Sequence, residues 1–449
     1  MSDKTNLEYW EKFWSKYWDP PQKKIDRFKR IFGGEKVFAM GLMPVRGPEG
    51  FRKLNYEFAE KLPINEIMDK LEDHHFNVLG VVIKDTDGAC MWDTDRGWNP
   101  TGRDILGEFV DAGKDRQIKI MASFTSMNDA YAGHMHPNRV SVHGKSGKRK
   151  TRDSKGNIVK ESYDAGDIST HDEGEMRVDI PEGISLEDYK EKIPFLQNKL
   201  DPSIGAGRGS RGKGYIPTTS FMCPNSDHVD YLVDLADEVV RNYGVVSFFA
   251  DYIRYDGAHP DLCYCERCKK KFREQYGPNM KMKGSEWYDF KEDTIARYGE
   301  KLCNKIKSID EDCITGWFSL TGPKLFTRNR LGQNWTKLGK YFDAVSPMIY
   351  PYLMGTADDG KWWGFVGNIS HWYSIRNMKK RIHEYDQQMV LAITNSVECN
   401  AEEMLKQMRT YDFGLGIALF KYFGTTDEQW KTLKIFAEQE YGLDALGLK

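Results

Sequence analysis

Residues 227–257 read DHVDYLVDLADEVVRNYGVVSFFADYIRYDG and contain the clearest secondary-structure pattern in the chain. Its first half spaces apolar residues three and four positions apart between an initial Asp and a Gly, as a capped amphipathic helix does. Its second half is a short apolar run that ends at Asp251. A helix that leads into a buried strand is the repeating unit of a parallel sheet, so we predict an α/β fold.

The same kind of apolar run recurs along the chain. With VVSFFADYI from Val245, the eight candidate strands are VFAMGLMPV from Val37, NVLGVVIKD from Asn77, IKIMASFTS from Ile118, CITGWFSL from Cys313, AVSPMIYPY from Ala344, MVLAITNS from Met389 and LGIALFKYF from Leu415. Amphipathic segments lie between most of them. The count predicts a (β/α)8 TIM barrel, and the alternative is a doubly wound sheet with a second domain.

The length of 449 residues exceeds what eight such units need, and we assign the excess to two places. Residues 1–35 are predicted to form an N-terminal helical extension, and residues 36–449 the barrel catalytic domain. Within the barrel, the polar and Gly-rich residues 129–223 are predicted to be an insertion in the third βα-loop. That loop lies on the catalytic face, so the insertion is either a lid or a mobile surface excursion.

The composition excludes several classes of protein. With 40% hydrophobic and 13% aromatic residues, the chain can bury a core and is not a disordered protein. A net charge of -2 does not favour nucleic acid as a partner. No apolar stretch is long enough for a membrane span or a signal peptide, which predicts a cytoplasmic protein with no membrane partner. Eight scattered Cys residues indicate reduced thiols or a local metal site.

Polar residues at the strand ends are the candidates for chemistry, because the active site of such a barrel lies there. Asp251 follows a buried apolar run directly, and a carboxylate in that position needs a charge partner or a chemical role. The alternative is a structural ion pair with Arg254. The other polar residues at strand ends are Arg46, Lys84, Asp85, Asp87, Ser319, Tyr350, Asn395, Glu398, Lys421 and Tyr422.

Aromatic residues also cluster near the predicted strand ends. They are Trp92, Trp98, Trp317, Tyr350, Tyr352, Trp362, Trp363 and Trp372. Flat apolar rings beside polar groups suit the C–H faces of sugars, so the group favours a carbohydrate ligand, although any single ring could serve only in packing. His371 could add a hydrogen bond to a sugar hydroxyl or carboxylate.

Residues 223–257, which end in the DYIRYDG segment, resemble the stretch that leads to the fourth strand in hypothetical glycosyl hydrolases with a TIM barrel, related to the α-amylase clan. Residues 343–352, DAVSPMIYPY, are similar to the sixth or seventh strand of the same enzymes, where Met348 and Tyr350 would line the pocket. The resemblance implies that Asp251 is the catalytic nucleophile.

A glycosidase needs a second carboxyl group. Glu398 is the first choice as general acid/base, with Asp85 and Asp87 as the next candidates. Glu398 could instead complement a helix dipole, and Asp85 could form a salt bridge with Lys84 or Arg46 or bind sugar hydroxyls. Retaining and inverting mechanisms both remain open. The residues predicted to bind the substrate are Asp85, Arg254, Trp92, Trp317, Tyr350, His371, Asn395 and Lys421.

Cys263, Cys265 and Cys268 have C-x-C-x-x-C spacing, close enough for three thiolates to share one Zn²⁺. Cys223, Cys90 or His259 could be the fourth ligand, and three reduced thiols without metal are the alternative. The segment resembles the cysteine loop of zinc-containing β-galactosidases, which implies a structural zinc. No cofactor is expected for catalysis.

Together these features predict a glycoside hydrolase that acts on a carbohydrate with a pair of carboxylates. Two other functions are compatible with the same residues. One is a carbohydrate-binding barrel without catalytic activity, and the other is a lyase or isomerase of sugars or sugar acids that uses Lys84, Asp85 and Lys421.

Overall fold

The computed structural model describes residues 22–48, 53–152, 158–167, 176–179, 186–193, 213–216, 221–257, 261–320, 327–349, 389–395, 399–412 and 414–448. Its main sheet contains eight parallel strands: β1 Val37–Leu42, β2 Val78–Lys84, β3 Lys119–Thr125, β4 Ser247–Asp251, β5 Ile314–Leu320, β6 Ala344–Ile349, β7 Met389–Asn395 and β8 Gly416–Phe420. All eight lie within the apolar runs that the sequence marks as strands.

The strands are ordered as in the sequence and join in a ring. Each strand pairs in parallel with the one before it and the one after it, and β8 pairs with β1 through five residues, from Val37 opposite Gly416 to Gly41 opposite Phe420. The prediction of a parallel α/β sheet is therefore confirmed. A ring of this kind brings the C-terminal ends of all eight strands to one rim.

Twelve α-helices lie within the described residues: α1 Gln22–Phe32, α2 Tyr56–Glu60, α3 Ile64–Asp73, α4 Ile105–Arg116, α5 Ala130–Met135, α6 Leu186–Lys192, α7 His228–Tyr243, α8 Glu266–Tyr276, α9 Gly284–Ile309, α10 Trp335–Gly339, α11 Ala401–Tyr411 and α12 Asp427–Phe436. At least one helix follows each of seven strands. The segment after β6, residues 350–388, lies outside the described residues.

Short elements complete the described part of the chain. They are the strands Lys53–Leu54, Gly147–Arg152, Ile158–Tyr163, Met176–Asp179 and Lys213–Ile216, a 3-10 turn at Pro137–Arg139, and π-helical turns at Thr327–Leu331 and Ala437–Tyr441. Gly147–Arg152 and Ile158–Tyr163 pair as an antiparallel hairpin between β3 and α7. None of the described helices is long and apolar enough to cross a membrane.

Helix α7 shows how the sequence forms one helix and strand unit. Eight of its residues are buried, and they recur at the spacing that the sequence pattern predicted. The helix ends at Gly244, whose φ of 58° is left-handed, a conformation that glycine adopts without steric cost. The chain then turns back and enters β4. This turn sets where β4, and therefore Asp251, lies in the ring.

The interior of the barrel is filled by a separate apolar cluster. Its buried members are Phe28, Phe32, Val37, Ala39, Val78, Met121, Phe249, Ile314, Phe318, Ala344, Leu415 and Ala418. Val37, Ile314 and Ala344 are the first residues of their strands, so Phe28 and Phe32 of α1 pack at the N-terminal rim. Helix α1 thus covers the end of the barrel opposite the candidate site. The aromatic residues of the N-terminal extension up to Trp18 lie outside the described residues.

Candidate active site

Asp251 faces the interior of the barrel at the C-terminal rim. Side chains two positions apart share one face of a strand, and Phe249 on β4 belongs to the inner cluster. The backbone carbonyl of Asp251 accepts a hydrogen bond from the Ser126 amide at 2.8 Å, which ties it to the end of β3. Its Oδ1 accepts from the Tyr252 amide at 2.6 Å. Tyr252 has a φ of 47°, so the chain turns sharply straight after the carboxylate.

The described part of the rim around Asp251 is partly exposed to solvent. The inward positions at the C-terminal ends of five other strands are partly exposed, whereas the inner cluster below them is buried. These positions are Gly41, Val82, Leu320, Met348 and Phe420. Asp251 is likewise partly exposed. The barrel therefore has an apolar mouth with a carboxylate in its wall.

Arg254 lies in the turn that follows β4 and is 6% exposed. Its guanidinium carbon lies 4.4 Å from the centre of the Tyr252 ring and 5.4 Å from that of Phe221. Nη1 donates to the Tyr255 carbonyl at 3.2 Å, and Nε is buried with no acceptor. Among the described residues, the salt bridges do not include one between Arg254 and Asp251. The alternative of a structural ion pair between these two residues is therefore wrong.

Asp85, at the end of β2, is held by Arg46 from the end of β1. Nε of Arg46 lies 2.5 Å from Oδ2 of Asp85, and Nη2 lies 2.9 Å from Oδ1. Both side chains are buried. Although burial lowers the pKa of Arg46, the charge and hydrogen bonds of Asp85 outweigh it and raise that pKa. Arg46 thus occupies both carboxylate oxygens of Asp85, which favours a structural role for this acid.

Asp87 is the second acid in this cluster and is fully buried. The Tyr56 hydroxyl donates to its Oδ2, and the Ala89 amide donates to its Oδ1 at 3.1 Å. Burial, followed by the negative charge of Asp85, raises the pKa of Asp87 from 3.8 to about 6. A carboxyl group with this pKa holds its proton to higher pH than usual, as a proton donor would.

Lys84 forms its salt bridge with Asp129 and not with Asp85, which the sequence had offered as a partner. A register shift between Val82 and Lys84 interrupts the pairing of β2 with β3. The Lys84 ammonium is fully buried, lies 2.7 Å from Oδ2 of Asp129 and donates to the Thr125 carbonyl at 3.1 Å. Because Asp129 and Thr125 hold this lysine below the surface, Lys84 is not a candidate for chemistry at the mouth.

Lys421 follows β8 and joins the cluster from the other side of β1. Its Nζ donates to the Arg46 carbonyl at 3.3 Å. Burial, followed by the positive charge of Arg46, lowers the pKa of Lys421 from 10.5 to about 8, against the opposing charge of Asp85. The structure therefore brings together Arg46, Asp85 and Lys421, which follow β1, β2 and β8 respectively.

Two of the tryptophans predicted to bind sugar are fully buried. Trp92 donates from Nε1 to Glu238 at 2.9 Å, and Trp317 packs edge-on against Trp335 with 5.7 Å between ring centres. The two rings belong to the outer core, between strands and helices, rather than to the inner cluster. As placed, neither ring is accessible to a sugar, so we correct both assignments to packing.

Several residues of the predicted site fall outside the described part of the chain. They are Glu398, Tyr350 and His371, together with Tyr352, Trp362, Trp363, Trp372 and His259. Asn395 is described only by its backbone, as the last residue of β7, in register with Phe420. The proposed partner of Asp251 is therefore known from sequence only.

Four cysteines, one at the end of the insertion and three in the loop after β4, lie close together. Cys223, Cys263, Cys265 and Cys268 have sulfur atoms that all lie within 4.8 Å of one another, and a group of this kind could hold a metal ion. Cys223 is the fourth member, and Cys90 does not belong to the group. The Asn225 side chain donates to Cys268 Sγ at 3.3 Å, and the Val142 amide donates to Cys263 Sγ at 3.3 Å. Such hydrogen bonds stabilise thiolates.

Sequence reasoning missed three residues that shape this region. Phe221 contacts Arg254 from a position 33 residues earlier, Tyr56 binds Asp87, and Asp129 neutralises Lys84. Phe221 and Tyr56 do not follow any of the eight apolar runs, and nothing in the local pattern marks them. Asp129 follows β3 and could have been found, since it belongs to the same rim.

A parallel ring of strands with an inward carboxylate at its open mouth is an arrangement that glycosidases use. A family model described as "Putative glycosyl hydrolase domain" matches residues 201–410. The matched range contains β4 to β7, Asp251, Arg254 and the four clustered cysteines. A search of the curated proteins finds no match to the sequence.

The solved structures that match this chain include several glycosidases. The PgaB (BpsB) glycoside hydrolase domain from Bordetella bronchiseptica is 11% identical, with a TM-score of 0.53 over 92% of this chain and 99% of that domain. α-L-Fucosidase isoenzyme 2 from Paenibacillus thiaminolyticus is 13% identical, with a TM-score of 0.51 over 90% of this chain. β-Galactosidase from the psychrophilic Marinomonas ef1 is 11% identical, with a TM-score of 0.54 over 92% of this chain.

The coverage of these structures differs. The chain spans 49% of the fucosidase and 61% of the β-galactosidase, so both enzymes have a large part with no counterpart here. At such low identity, the likeness concerns the fold and not the substrate. The shared part is a barrel-like glycoside hydrolase fold.

Proposed function

We propose that the protein is a glycoside hydrolase built on a complete (β/α)8 barrel, with Asp251 as its catalytic nucleophile. The observation that carries this proposal is the position of Asp251, whose carboxylate faces inward at the C-terminal end of β4 and is partly exposed. A carboxylate there can reach a sugar that enters the mouth. The DYIRY motif around it supports kinship with α-amylase-clan enzymes.

The second carboxyl group of the proposed mechanism is Glu398, which follows β7. Asp85 is less suitable, because Arg46 binds both of its oxygens. Asp87 has a raised pKa, as a proton donor needs, and is therefore the second candidate. It ranks below Glu398 because it is fully buried and hydrogen-bonded to Tyr56. The distance between the two carboxyl groups decides whether the sugar keeps or inverts its configuration. The proposed hydrolysis requires no cofactor.

Around these carboxylates, the proposed carbohydrate site contains Arg254 and Lys421, together with Tyr350, His371 and Asn395 from the sequence prediction. We also keep the proposed division into a helical extension at residues 1–35, a barrel at 36–449 and an insertion at 129–223. One contact supports a position of the insertion near the loop after β2. Trp98 in that loop donates from Nε1 to the carbonyl of Lys192, on helix α6 of the insertion, at 3.2 Å.

The metal that best suits the four-cysteine group is zinc, since four thiolates complete its tetrahedral shell and leave no open position for a substrate. A bound zinc would join Cys223, which precedes α7, to the loop that follows Asp251. All eight cysteines are free thiols, even though the sulfur atoms of Cys223 and Cys265 lie only 3.5 Å apart. The proposed cytoplasmic location rests on the sequence, in which the cysteines are too sparse for a disulfide scaffold.

The deciding experiment is a hydrolysis screen with aryl glycosides of both anomers and natural oligosaccharides. Wild-type protein is compared with Asp251→Asn and Glu398→Gln. Loss of the nucleophile is expected to lower kcat by about 10⁴-fold or more, as for other residues that react covalently. The matched control is Asp237→Asn, which removes a carboxylate paired with Arg241 on the surface of α7. Hydrolysis that survives Asp251→Asn unchanged would contradict the assignment.

The same screen separates the two alternative functions. Saturable sugar binding by wild-type protein without turnover of any substrate would favour a carbohydrate-binding barrel. A lyase or isomerase would convert the sugar without adding water. The burial of Lys84 against Asp129 disfavours this last class, because it removes one of the three residues on which the class depends.

A further inference from the structure

We propose that the substrate carries a single negative charge, the carboxylate of a hexuronic acid, and that Arg254 binds it. This inference rests on the proposed function, because it assigns the substrate class of the same site. Arg254 lies three residues after Asp251, in the turn at the barrel mouth. Three observations carry the inference: the unmet hydrogen-bonding capacity of Arg254, the rings around it, and the geometry of a comparable arginine nearby.

The first observation is that Arg254 is a buried cation without an anionic partner among the described residues. A guanidinium has five N–H donors, and the one protein hydrogen bond here runs from Nη1 to the Tyr255 carbonyl at 3.2 Å. Nε is buried and has no acceptor. Leaving such a group without an anion is costly, since removal from water weakens its solvation and nothing replaces it. A bound anion would offset that cost.

The second observation is that aromatic rings hold the guanidinium in place. Its central carbon lies 4.4 Å from the Tyr252 ring centre and 5.4 Å from that of Phe221. The two rings are 6.0 Å apart. Tyr252 is partly exposed, so this small aromatic wall reaches the mouth. Contact with aromatic faces stabilises the cation and excludes water, which strengthens the attraction to a ligand charge.

The third observation is a matching arginine that shows how the free edge can bind. In Arg46, the Nε and Nη2 atoms grip the two oxygens of Asp85 at 2.5 and 2.9 Å. Arg254 has its Nε unbound, and no described residue accepts a hydrogen bond from its Nη2. The corresponding edge of Arg254 would fit one planar carboxylate in the same bidentate manner after a small shift of the side chain, because Nε is covered from solvent in this structure.

The charge of the site selects among anions. One guanidinium balances one negative charge, and Asp251 adds a negative charge three residues away in the same turn. A phosphate monoester, which carries close to two charges at neutral pH, would exceed the charge of Arg254 alone and would need a second cation such as Lys421. A sugar carboxylate carries one charge and two coplanar oxygens. A hexuronic acid thus matches Arg254 in both charge and shape.

The experiment measures binding without turnover. Full-length protein with Asp251→Asn is titrated by calorimetry with D-glucuronate and D-galacturonate, and with the neutral parents D-glucose and D-galactose. Free sugars present both anomers, so the unknown anomer does not matter. We expect a uronate to bind roughly tenfold to a hundredfold more tightly than its parent, as a charge-assisted bidentate contact implies. Adding Arg254→Gln should remove this preference, and Arg254→Lys should retain part of it.

Controls keep the outcome unambiguous. Arg241→Gln removes a cation from the exposed surface of α7 and should leave the preference unchanged. Circular dichroism and Tm establish that each variant is folded, and Arg254→Lys carries the test where Arg254→Gln does not fold. The proposal is overturned if neither uronate binds better than its parent, if the preference survives loss of Arg254, or if D-galactose 6-sulfate binds and the uronates do not.

The experiment also separates this inference from the proposed function. Uronate binding that depends on Arg254, in a protein that hydrolyses no glycoside, would overturn the hydrolase and keep the ligand class. Hydrolysis of neutral glycosides without any uronate preference would keep the hydrolase and overturn the ligand class.

Discussion

Arg46 and Asp85 form a bidentate ion pair that joins the ends of β1 and β2, with both side chains buried at the rim of the barrel. Arg46 also donates to Thr86 Oγ1 at 2.9 Å, and its carbonyl accepts from Lys421. One arginine therefore connects three adjacent strand ends. Such a pair stabilises the rim only while both partners are present, because either charge alone would be buried without compensation.

Replacing Arg46 by Met is expected to destabilise the protein strongly. The change leaves the Asp85 carboxylate buried without its partner, which costs about 3–5 kcal/mol in comparable pairs. The free energy of unfolding in urea measures the loss. Arg30→Met is the matched control, since Arg30 and Asp312 pair with both side chains largely exposed, and we expect no measurable change there. Equal losses for the two variants would contradict this account.

Asp87 is expected to make the protein less stable as the pH rises through about 6. Its pKa is about 6 in the folded protein against an ordinary value of 3.8, so between these values the folded state binds more protons than the unfolded state. The free energy of unfolding should therefore fall between about pH 4 and about pH 6 and level off above that. Asp87→Asn should flatten this decline, whereas exposed Asp111→Asn should not. An unchanged pH profile in Asp87→Asn would show that the pKa of Asp87 is not raised.

Metal binding by the four-cysteine group can be measured directly. We expect one zinc per chain by mass spectrometry, and a lower Tm after removal of the metal with a strong chelator, because a ligand that binds only the folded state stabilises it. Cys265→Ser should lose the metal. Cys399→Ser should retain it, since Cys399 lies outside the group. Equal metal content in the two variants would refute the site.

The two buried tryptophans provide a matched pair of core substitutions. Trp92→Phe and Trp317→Phe remove similar volumes, but the N–H of Trp92 is bound to Glu238 whereas that of Trp317 is buried with no acceptor. Trp92→Phe should therefore cost about 1–3 kcal/mol more, measured by urea unfolding. Neither change should alter the KM for a glycoside. A raised KM in either variant would indicate that the substituted tryptophan contacts the substrate.

Much of the fold could be predicted from the sequence, because the decisive signals are local. Each of the eight apolar runs is a strand, since a strand of a parallel sheet is covered on both faces and reads as a continuous apolar segment. The polar residues that follow these runs lie at one rim, including Asp251, Asp85 and Lys421. The close spacing of Cys263, Cys265 and Cys268 along the chain likewise predicts a thiol cluster.

The contacts within that rim could not be predicted in the same way. An apolar strand with two buried faces carries no alternation, so the sequence did not show that Trp317 on β5 points outward, away from the mouth. Trp92 lies in the loop after β2, where no periodic pattern indicates which way a side chain points. The register shift between Val82 and Lys84 could not be read from the sequence either. The sequence therefore did not show that the ion-pair partner of Lys84 is Asp129 rather than Asp85.

The amino-acid pattern was sufficient to predict which segments become strands, where each strand ends and which residue types meet at the rim. The pairing of the charges became clear only from the folded arrangement. It paired Arg46 with Asp85 and Lys84 with Asp129, completed the thiol group with Cys223, and left Arg254 beside two rings without an anion among the described residues. The difference arises because strand formation depends on neighbours along the chain, whereas charge pairing depends on distances between remote segments, which are set only when the ring closes.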